Sequence, residues 1–391
     1  MKYKYLLVGG GMSADAAARG IREIDPQGSI GLISDESSPP YNRPPLSKGL
    51  WRGQPLEEIF RGTESLGVEL HLGHRVTNLD PGQNKVVDER GCEFDYEKLL
   101  LATGGAPRRL PFAPADDLVI YYRNLQDYFK LQEAVETSAN RFAVVGGGFI
   151  GSEVAAALAD SECRVSMIFP EAGIGARNFP ADLSEFLNRY YRERGVEVLA
   201  GHSLEAIELR EEETVVRTSK GSAVTVHGVV AGLGIRPNTE LAEQAGLEVK
   251  DGIVVDEFCQ SSVPGIYAAG DVARFFSPAL NKMVRVEHED NANLMGYLAG
   301  QNMAGAQEPY HHLPFFYSDL FDLGYEAVGE MNSSLETFSD WAEPYQKGVI
   351  YYLDKGRLQG VVLWNVWEKL ELARELIGTT PANLPGLIPW D

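Results

Sequence analysis

The 391-residue sequence predicts an α/β protein with two Rossmann-like dinucleotide-binding domains, one inserted in the other. Three observations carry this. An apolar run leading into three glycines and an alanine-rich stretch occurs twice, as KYLLVGGGMSADAAARGI (4–21) and RFAVVGGGFIGSEVAAALA (141–159). Each copy is followed by a second apolar run that closes on an acid. A short apolar run, GIYAAGDVA (265–273), lies far downstream of both, as expected if the chain leaves one fold and later returns to it.

The length suits two or three domains, since a domain typically takes roughly 100 to 200 residues. No apolar run is long enough to span a bilayer, and MKYKYLLVGGG enters a strand at once with no room for a leader, so cytoplasm is the expected location. A formal charge of −21 argues against nucleic acid and anionic membranes as partners, because both attract basic patches. Cys92, Cys163 and Cys259 form no CxxC or CxxxxC, so ordinary reduced thiols are expected, with neither a metal site nor a sequence-local dithiol.

The glycine motifs come next. Gly9, Gly11 and Ala14 give GxGxxA, and Gly146, Gly148 and Gly151 give GxGxxG. The first glycine permits a tight turn and the second lets a pyrophosphate approach the backbone. The third small residue packs helix on strand, so that the helix N-terminus faces the phosphates. A lone motif is weak; two copies, each in strand–helix–strand context, are specific. The second strands end near Asp35 and Glu171, a little beyond the roughly 20-residue spacing at which a carboxylate meets a ribose 2′-hydroxyl. The plain alternative for either is a solvated acid at a strand end. At the second copy Glu171 would repel a 2′-phosphate and favour NADH over NADPH, a preference that nearby Arg177 could soften. Asp271 in GIYAAGDVA can accept a hydrogen bond from a sugar hydroxyl. KLLLATGGAPRRLP (98–111) and VVAGLGIRPNTELAEQAGL (229–247) read as the crossovers.

With VGGGMSADAA, PYNRPPLSKGLW, LLLATGG, VVGGGFIGSEVAAALA, GIYAAGDVA, VEHEDNANLMGYLAGQNMAG, FYSDL and GVVLWNVWEKLELARELI all present, the chain resembles the FAD-dependent pyridine nucleotide oxidoreductases, in their ferredoxin-reductase and apoptosis-inducing-factor branch. The likeness runs over essentially the whole chain. MIFPEAGIGARNFPADL (167–183) and VVLWN (361–365) point to the apoptosis-inducing-factor side.

The resemblance implies a FAD-binding domain at 1–110 and 235–308, an NAD-binding domain at 111–234 and a small C-terminal α+β interface domain at 309–391. FAD would be held by Gly9, Gly11, Ala14, Asp35, Arg43, Lys48, Ala102, Thr103, Gly104, Gly270, Asp271, Glu287 and His288. NADH would be held by Gly146, Gly148, Phe149, Ile150, Gly151, Glu171, Arg177 and Gly232. Lys48 resembles a lysine near the flavin N5 that pairs with a glutamate on the second-copy helix, here Glu153. An ammonium there would stabilise the negative charge of the reduced flavin, and a buried lysine needs an acid beside it. The alternative is an exposed Lys and an exposed helical Glu. His288, near the start of a helix, would bear on the flavin pyrimidine end, or else be a cap or core histidine. Tyr317 stands where relatives often carry Trp beside the isoalloxazine; its alternative is a core aromatic.

Departures accompany the likeness. Glu289 follows His288 where apoptosis-inducing members carry a second His, and neither the mitochondrial leader nor the long C-terminal insertion of those members is expected here. The implied activity is hydride transfer from NADH to flavin N5, with electrons passed to a ferredoxin or rubredoxin, a quinone or oxygen without a redox dithiol. The other reading is a redox-responsive binding protein with a long-lived NADH-reduced charge-transfer state. A homodimer stays open in both. His311-His312 reads as a solvated turn, REEETVVR (210–217) as a charged hairpin edge, WEKLELARELI (367–377) as the packing face of a final helix, and PANLPGLIPWD as an extended tail.

Overall fold

The computed structural model describes residues 1–112, 118–137, 140–210 and 213–390. The chain divides into two compact units that interleave in sequence. The first comprises Met1–Pro44, Pro55–Ala106 and Arg236–Pro314; the second comprises Pro45–Gln54, Pro107–Ile235 and Phe315–Asp391.

The first unit is built on a seven-stranded sheet. Val68–Leu72, Ile30–Ser34, Lys2–Val8, Glu93–Leu101 and Ile266–Ala268 run parallel, and the hairpin strands Lys85–Asp88 and Val76–Asp80 continue it antiparallel. Lys2–Val8 and Glu93–Leu101 alternate at their starts but end in the buried apolar runs Tyr5–Val8 and Leu99–Leu101, as expected where both faces of a parallel sheet are covered. Ile30–Ser34 is buried at all five positions. The helix Met12–Ile24 packs along the helix Glu289–Met303, and small residues set how closely they meet. A Cβ on Gly300 would stand 2.0 Å from the Ala17 carbonyl oxygen.

The second unit holds a five-stranded parallel sheet in the order Glu197–Ala200, Arg164–Phe169, Arg141–Val145, Gly228–Ala231, Val119–Tyr121. The helix Leu125–Glu136 starts at a reciprocal cap in which Asn124 accepts from the Asp127 N–H and Asp127 accepts from the Asn124 N–H. The unit also holds a five-stranded antiparallel sheet in the order Phe315–Leu320, Leu323–Gly329, Arg357–Trp364, Lys347–Asp354, Glu336–Glu343, with the short helix Leu370–Leu376 packed on it. Its core is aromatic: Tyr325 and Trp364 stack at 5.6 Å, and Phe179 meets both edge-on.

Several local expectations are revised. The final helix covers only Leu370–Leu376, because Glu368 takes a left-handed φ of 63° that ends regular geometry, and Trp367 is left half-exposed outside it. The C-terminal tail, read as extended, contains a turn in which the Leu387 N–H donates to the Leu384 carbonyl at 3.0 Å, and it is tied down where the Ile388 N–H donates to Tyr351 Oη at 3.1 Å and the Trp390 indole donates to the Asp340 carbonyl. His312 is not simply solvated, since its Nε2 lies 2.6 Å from the Asp290 carboxylate. Strands Leu204–Arg210 and Glu213–Thr218 form the hairpin read at 210–217, of which 211 and 212 lie outside the described residues, as does Asp391 of the tail. Among the described residues no helix is long and apolar enough to cross a membrane.

Candidate functional site

The two glycine motifs build nearly the same object. Gly9 and Gly146 take φ of 119° and 118°, and a Cβ there would stand 2.1 Å from the Ala102 carbonyl oxygen and 2.3 Å from that of Gly232, respectively. Only glycine fits such a turn. Gly11 and Gly148 then cap the helices Met12–Ile24 and Phe149–Asp160 without any side-chain cap, so no cap side chain competes with an outside acceptor for the first-turn N–H groups, although the Ala14 N–H already donates to the Gly11 carbonyl at 3.2 Å. The space ahead of them is open: no atom lies within 4 Å of a Cβ built on Gly148, and only Arg43 Nη2, at 4.0 Å, comes that near Gly11. Ala14 is fully buried under the first turn, while a Cβ on Gly151 would stand 2.2 Å from the Gly146 carbonyl oxygen. Phe149 and Ile150, on the first turn of the second helix, are about 40 % exposed (39 % and 41 %), which is unusual for residues of their kind. Open ground, orphan N–H groups and a helix N-terminus together fit a pyrophosphate at each copy.

In the first unit, Asp35 is exposed just past its strand, while Glu36 beside it accepts from Tyr41 Oη at 2.7 Å and is ion-paired to Arg43. Burial of Arg43 works against its charge, but the carboxylate of Glu36 and the neighbouring Tyr41 and Asp271 more than offset this and raise its basicity. Glu36 escaped the sequence reading because spacing alone does not choose between adjacent acids. Asp271 lies on the turn Gly270–Val272, and a Cβ on Gly270 would stand 2.2 Å from Ser13 Oγ, so this turn lies against the first-copy helix. Ala102 follows the strand Glu93–Leu101. Thr103 is tied to Asn238: its hydroxyl donates to the Asn238 carbonyl at 2.8 Å, and Asn238 Nδ2 donates to the Thr103 carbonyl at 2.9 Å. Gly104 follows at φ 61°. Glu287 is paired with Arg285 at 2.7 Å, and His288 caps the helix Glu289–Met303, its Nδ1 accepting from the Asp290 N–H at 3.4 Å.

In the second unit Glu171 and Arg177 form an ion pair at 2.5 Å, Arg177 being largely exposed. Gly232 follows the strand Gly228–Ala231, and a Cβ on it would stand 2.8 Å from the Gly151 nitrogen.

The second unit also gathers the residues of the Pro-Pro segment. Pro44–Ser47 forms one 3₁₀ turn, and the Leu46 carbonyl accepts from the Trp51 indole at 2.9 Å and from Tyr122 Oη. So held, Lys48 Nζ lies 2.7 Å from Glu153 Oε1, with side-chain exposures of 13 % and 6 %. The same carboxylate accepts from Ser47 Oγ and from Ser318 Oγ, each at 2.6 Å. Lys48 also lies 3.4 Å from Asp319 and 4.8 Å from the centre of the Tyr317 ring. Ser47, Ser318 and Asp319 were missed. The period-two alternation of FYSDL does place Tyr317 and Asp319 on one face and Ser318 on the other, but not which strand end meets Lys48. Burial, and then the charge of Glu153, push the hydroxyls of Tyr191 and Tyr325 well above the usual tyrosine range.

Among the described residues no two cysteines approach one another as a pair, and burial raises Cys163 and Cys259 further from thiolate. Cys92 shares a hairpin with His74 and Asp88, whose side chains meet at 2.6 Å.

Two glycine-turned helix N-termini, each at the carboxyl end of a parallel sheet, define a protein that holds two dinucleotides. The model of the family described as pyridine nucleotide-disulphide oxidoreductase matches residues 3–296, and that of the apoptosis-inducing factor, mitochondrion-associated, C-terminal domain matches 299–344 and 339–379. The chain is 34 % identical to apoptosis-inducing factor 1, mitochondrial, of Dictyostelium discoideum, over 96 % of this chain and 78 % of that protein. It is 37 % identical to the 5,5′-dehydrodivanillate O-demethylase ferredoxin reductase subunit of a Sphingobium species, over 83 % and 81 %. In structure it superposes on the reductase of a covalent putidaredoxin reductase–putidaredoxin complex with a TM-score of 0.90 and 30 % identity, over 97 % and 93 % of the two chains. The chain belongs to the pyridine nucleotide-disulphide oxidoreductase family. It is an NAD(P)H-dependent FAD oxidoreductase that passes electrons to an acceptor.

Proposed function

We propose that this enzyme takes hydride from NADH at the second glycine cradle, holds FAD at the first, and works without a redox dithiol. The observation that carries the reading is the Lys48–Glu153 pair, held by two serine hydroxyls and lying under Tyr317. Bound FAD supplies the two-electron chemistry, accepting hydride at N5. Lys48 lends a fixed positive charge where negative charge develops, and Glu153 keeps that ammonium in place. His288 sets the start of a helix whose N-terminal dipole stabilises negative charge. Asp35 or Glu36 serves the first ribose and Glu171 the second, where its carboxylate disfavours a 2′-phosphate. Domain limits of 1–110 with 235–308, 111–234 and 309–391 belong to the same proposal.

The names of the relatives support a ferredoxin-like acceptor, with a quinone and oxygen as the others to test. The likeness to apoptosis-inducing factor favours a second reading, a slow switch that changes its binding on reduction. One experiment separates them: reduce the flavin with NADH without air, then add oxygen, a quinone or a small iron–sulfur protein. Rapid reoxidation by one acceptor supports the enzyme, and a charge-transfer band lasting minutes in air, with a change in hydrodynamic size, supports the switch. Lys48→Met should slow flavin reduction by NADH roughly 100-fold. An unchanged rate would remove Lys48 from the chemistry.

A further inference from the structure

Glu326 is used by none of the above. It sits on the strand Leu323–Gly329 directly opposite Tyr317 in antiparallel register, so the two side chains share a face of the sheet with Cβ atoms roughly 5 Å apart. Its Oε2 is buried without a hydrogen-bond partner. An acceptor-only carboxylate oxygen left so would forfeit its hydration for nothing; a protonated carboxyl carries a far smaller cost.

The surroundings agree. Tyr317 faces Glu326 from one neighbouring strand, and the Lys48 ammonium lies 4.8 Å from the centre of that ring. From the other neighbouring strand comes Leu363, which is apolar. From the helix Leu370–Leu376 comes Arg374, already paired with Glu371 and stacked over Phe315 at 5.6 Å. Asp319, next along the Tyr317 face, is engaged by Lys48. Burial raises the Glu326 pKa above the ordinary carboxyl range, and the guanidinium of Arg374, which acts in the opposite sense, does not cancel it.

We propose that Glu326 is a general acid that gives a proton to a small carbonyl-bearing acceptor of the quinone class at the Tyr317 face. This rests on the reading of Lys48 and Tyr317 as the redox face, and it names the acceptor chemistry. Reducing a quinone to its hydroquinone takes two electrons and two protons. A hydride brings both electrons and one proton, and the second proton must come from an acid. The O–H bond of the Glu326 carboxyl breaks, an O–H bond forms on the acceptor oxygen, and the carboxylate regains its proton from water before the next turnover. An iron–sulfur protein takes electrons without a proton and has no use for this group.

The test is Glu326→Gln in the FAD-loaded full chain with NADH as donor, comparing 1,4-benzoquinone with ferricyanide, which takes electrons alone. In the native protein quinone turnover should be highest at low pH and fall as Glu326 deprotonates. In E326Q it should drop roughly 100-fold and lose that slope, with ferricyanide turnover within about twofold. Equal loss with both acceptors, or loss with neither, overturns the proposal. Absence of ferricyanide turnover in the native protein would instead sink the enzyme reading on which it rests. Independently of turnover, the oxidised protein at mildly acidic pH should show a protonated-carboxyl infrared band that shifts in heavy water and is missing from E326Q; if that band is unchanged in E326Q, the assignment is wrong.

Discussion

Removing the Glu153 carboxylate tests the cluster most directly. In Glu153→Ala the ammonium of Lys48, only 13 % exposed, keeps Asp319 at 3.4 Å and the Tyr317 ring but loses its 2.7 Å partner. Two serine hydroxyls also lose the acceptor they reach at 2.6 Å. Breaking a buried pair from one side typically costs about 3–5 kcal/mol, because a charge is stranded out of water. Lys48→Met strands less: the carboxylate still accepts from Ser47 and Ser318, so about 2 kcal/mol is expected. The double variant removes both charges and should lose less than the sum, by about 1–3 kcal/mol of coupling. Denaturant unfolding of the FAD-loaded protein, at one fixed FAD concentration because ligand binding adds stability of its own, gives all four corners of the cycle. A Glu153→Ala protein within about 0.5 kcal/mol of the native one, or strict additivity, would show that the pair is a solvated contact and refute the reasoning.

Two other outcomes follow from the same physics. Gly148→Ala points its methyl into open space and should leave stability within about 0.5 kcal/mol while raising the dissociation constant for NADH more than about tenfold; Gly146→Ala, at φ 118° and 2.3 Å from the Gly232 carbonyl oxygen, should destabilise by well over 1 kcal/mol. Thermal melts and an NADH titration read the two effects separately, and an unchanged NADH affinity in Gly148→Ala would count against the cradle. Burial alone would raise the pKa of Asp15, but hydrogen bonds from Arg19, Thr63 and Arg61 lower it below the usual value. A depressed carboxylate contributes stability above its unfolded pKa of about 3.9 and loses it as pH falls through the folded value. Stability should therefore decline with acid below about pH 4, and the decline should be shallower in Asp15→Asn; equal slopes would show that Asp15 is not a source of it.

What could be read from sequence was local. The turn at Gly9, the open cap at Gly148 and the apolar strands before them follow from steric limits and from the two-sided burial of parallel sheets, both of which act within a few residues. For that reason the duplicated glycine turns and the α/β class were legible. Lys48 and Glu153 could be paired only by likeness to a family, since 105 residues separate them. Ser318, 165 residues from Glu153, carried no signal at all. That Arg43 pairs with Glu36, seven residues away, likewise emerges only in the folded chain. The unpaired oxygen of Glu326 depends on tertiary packing, in a sequence, GYEAVG, that reads as an ordinary strand. Sequence set which residue types are available at each turn; burial decided which of their polar atoms are paired, which charges are held, and which proton stays on.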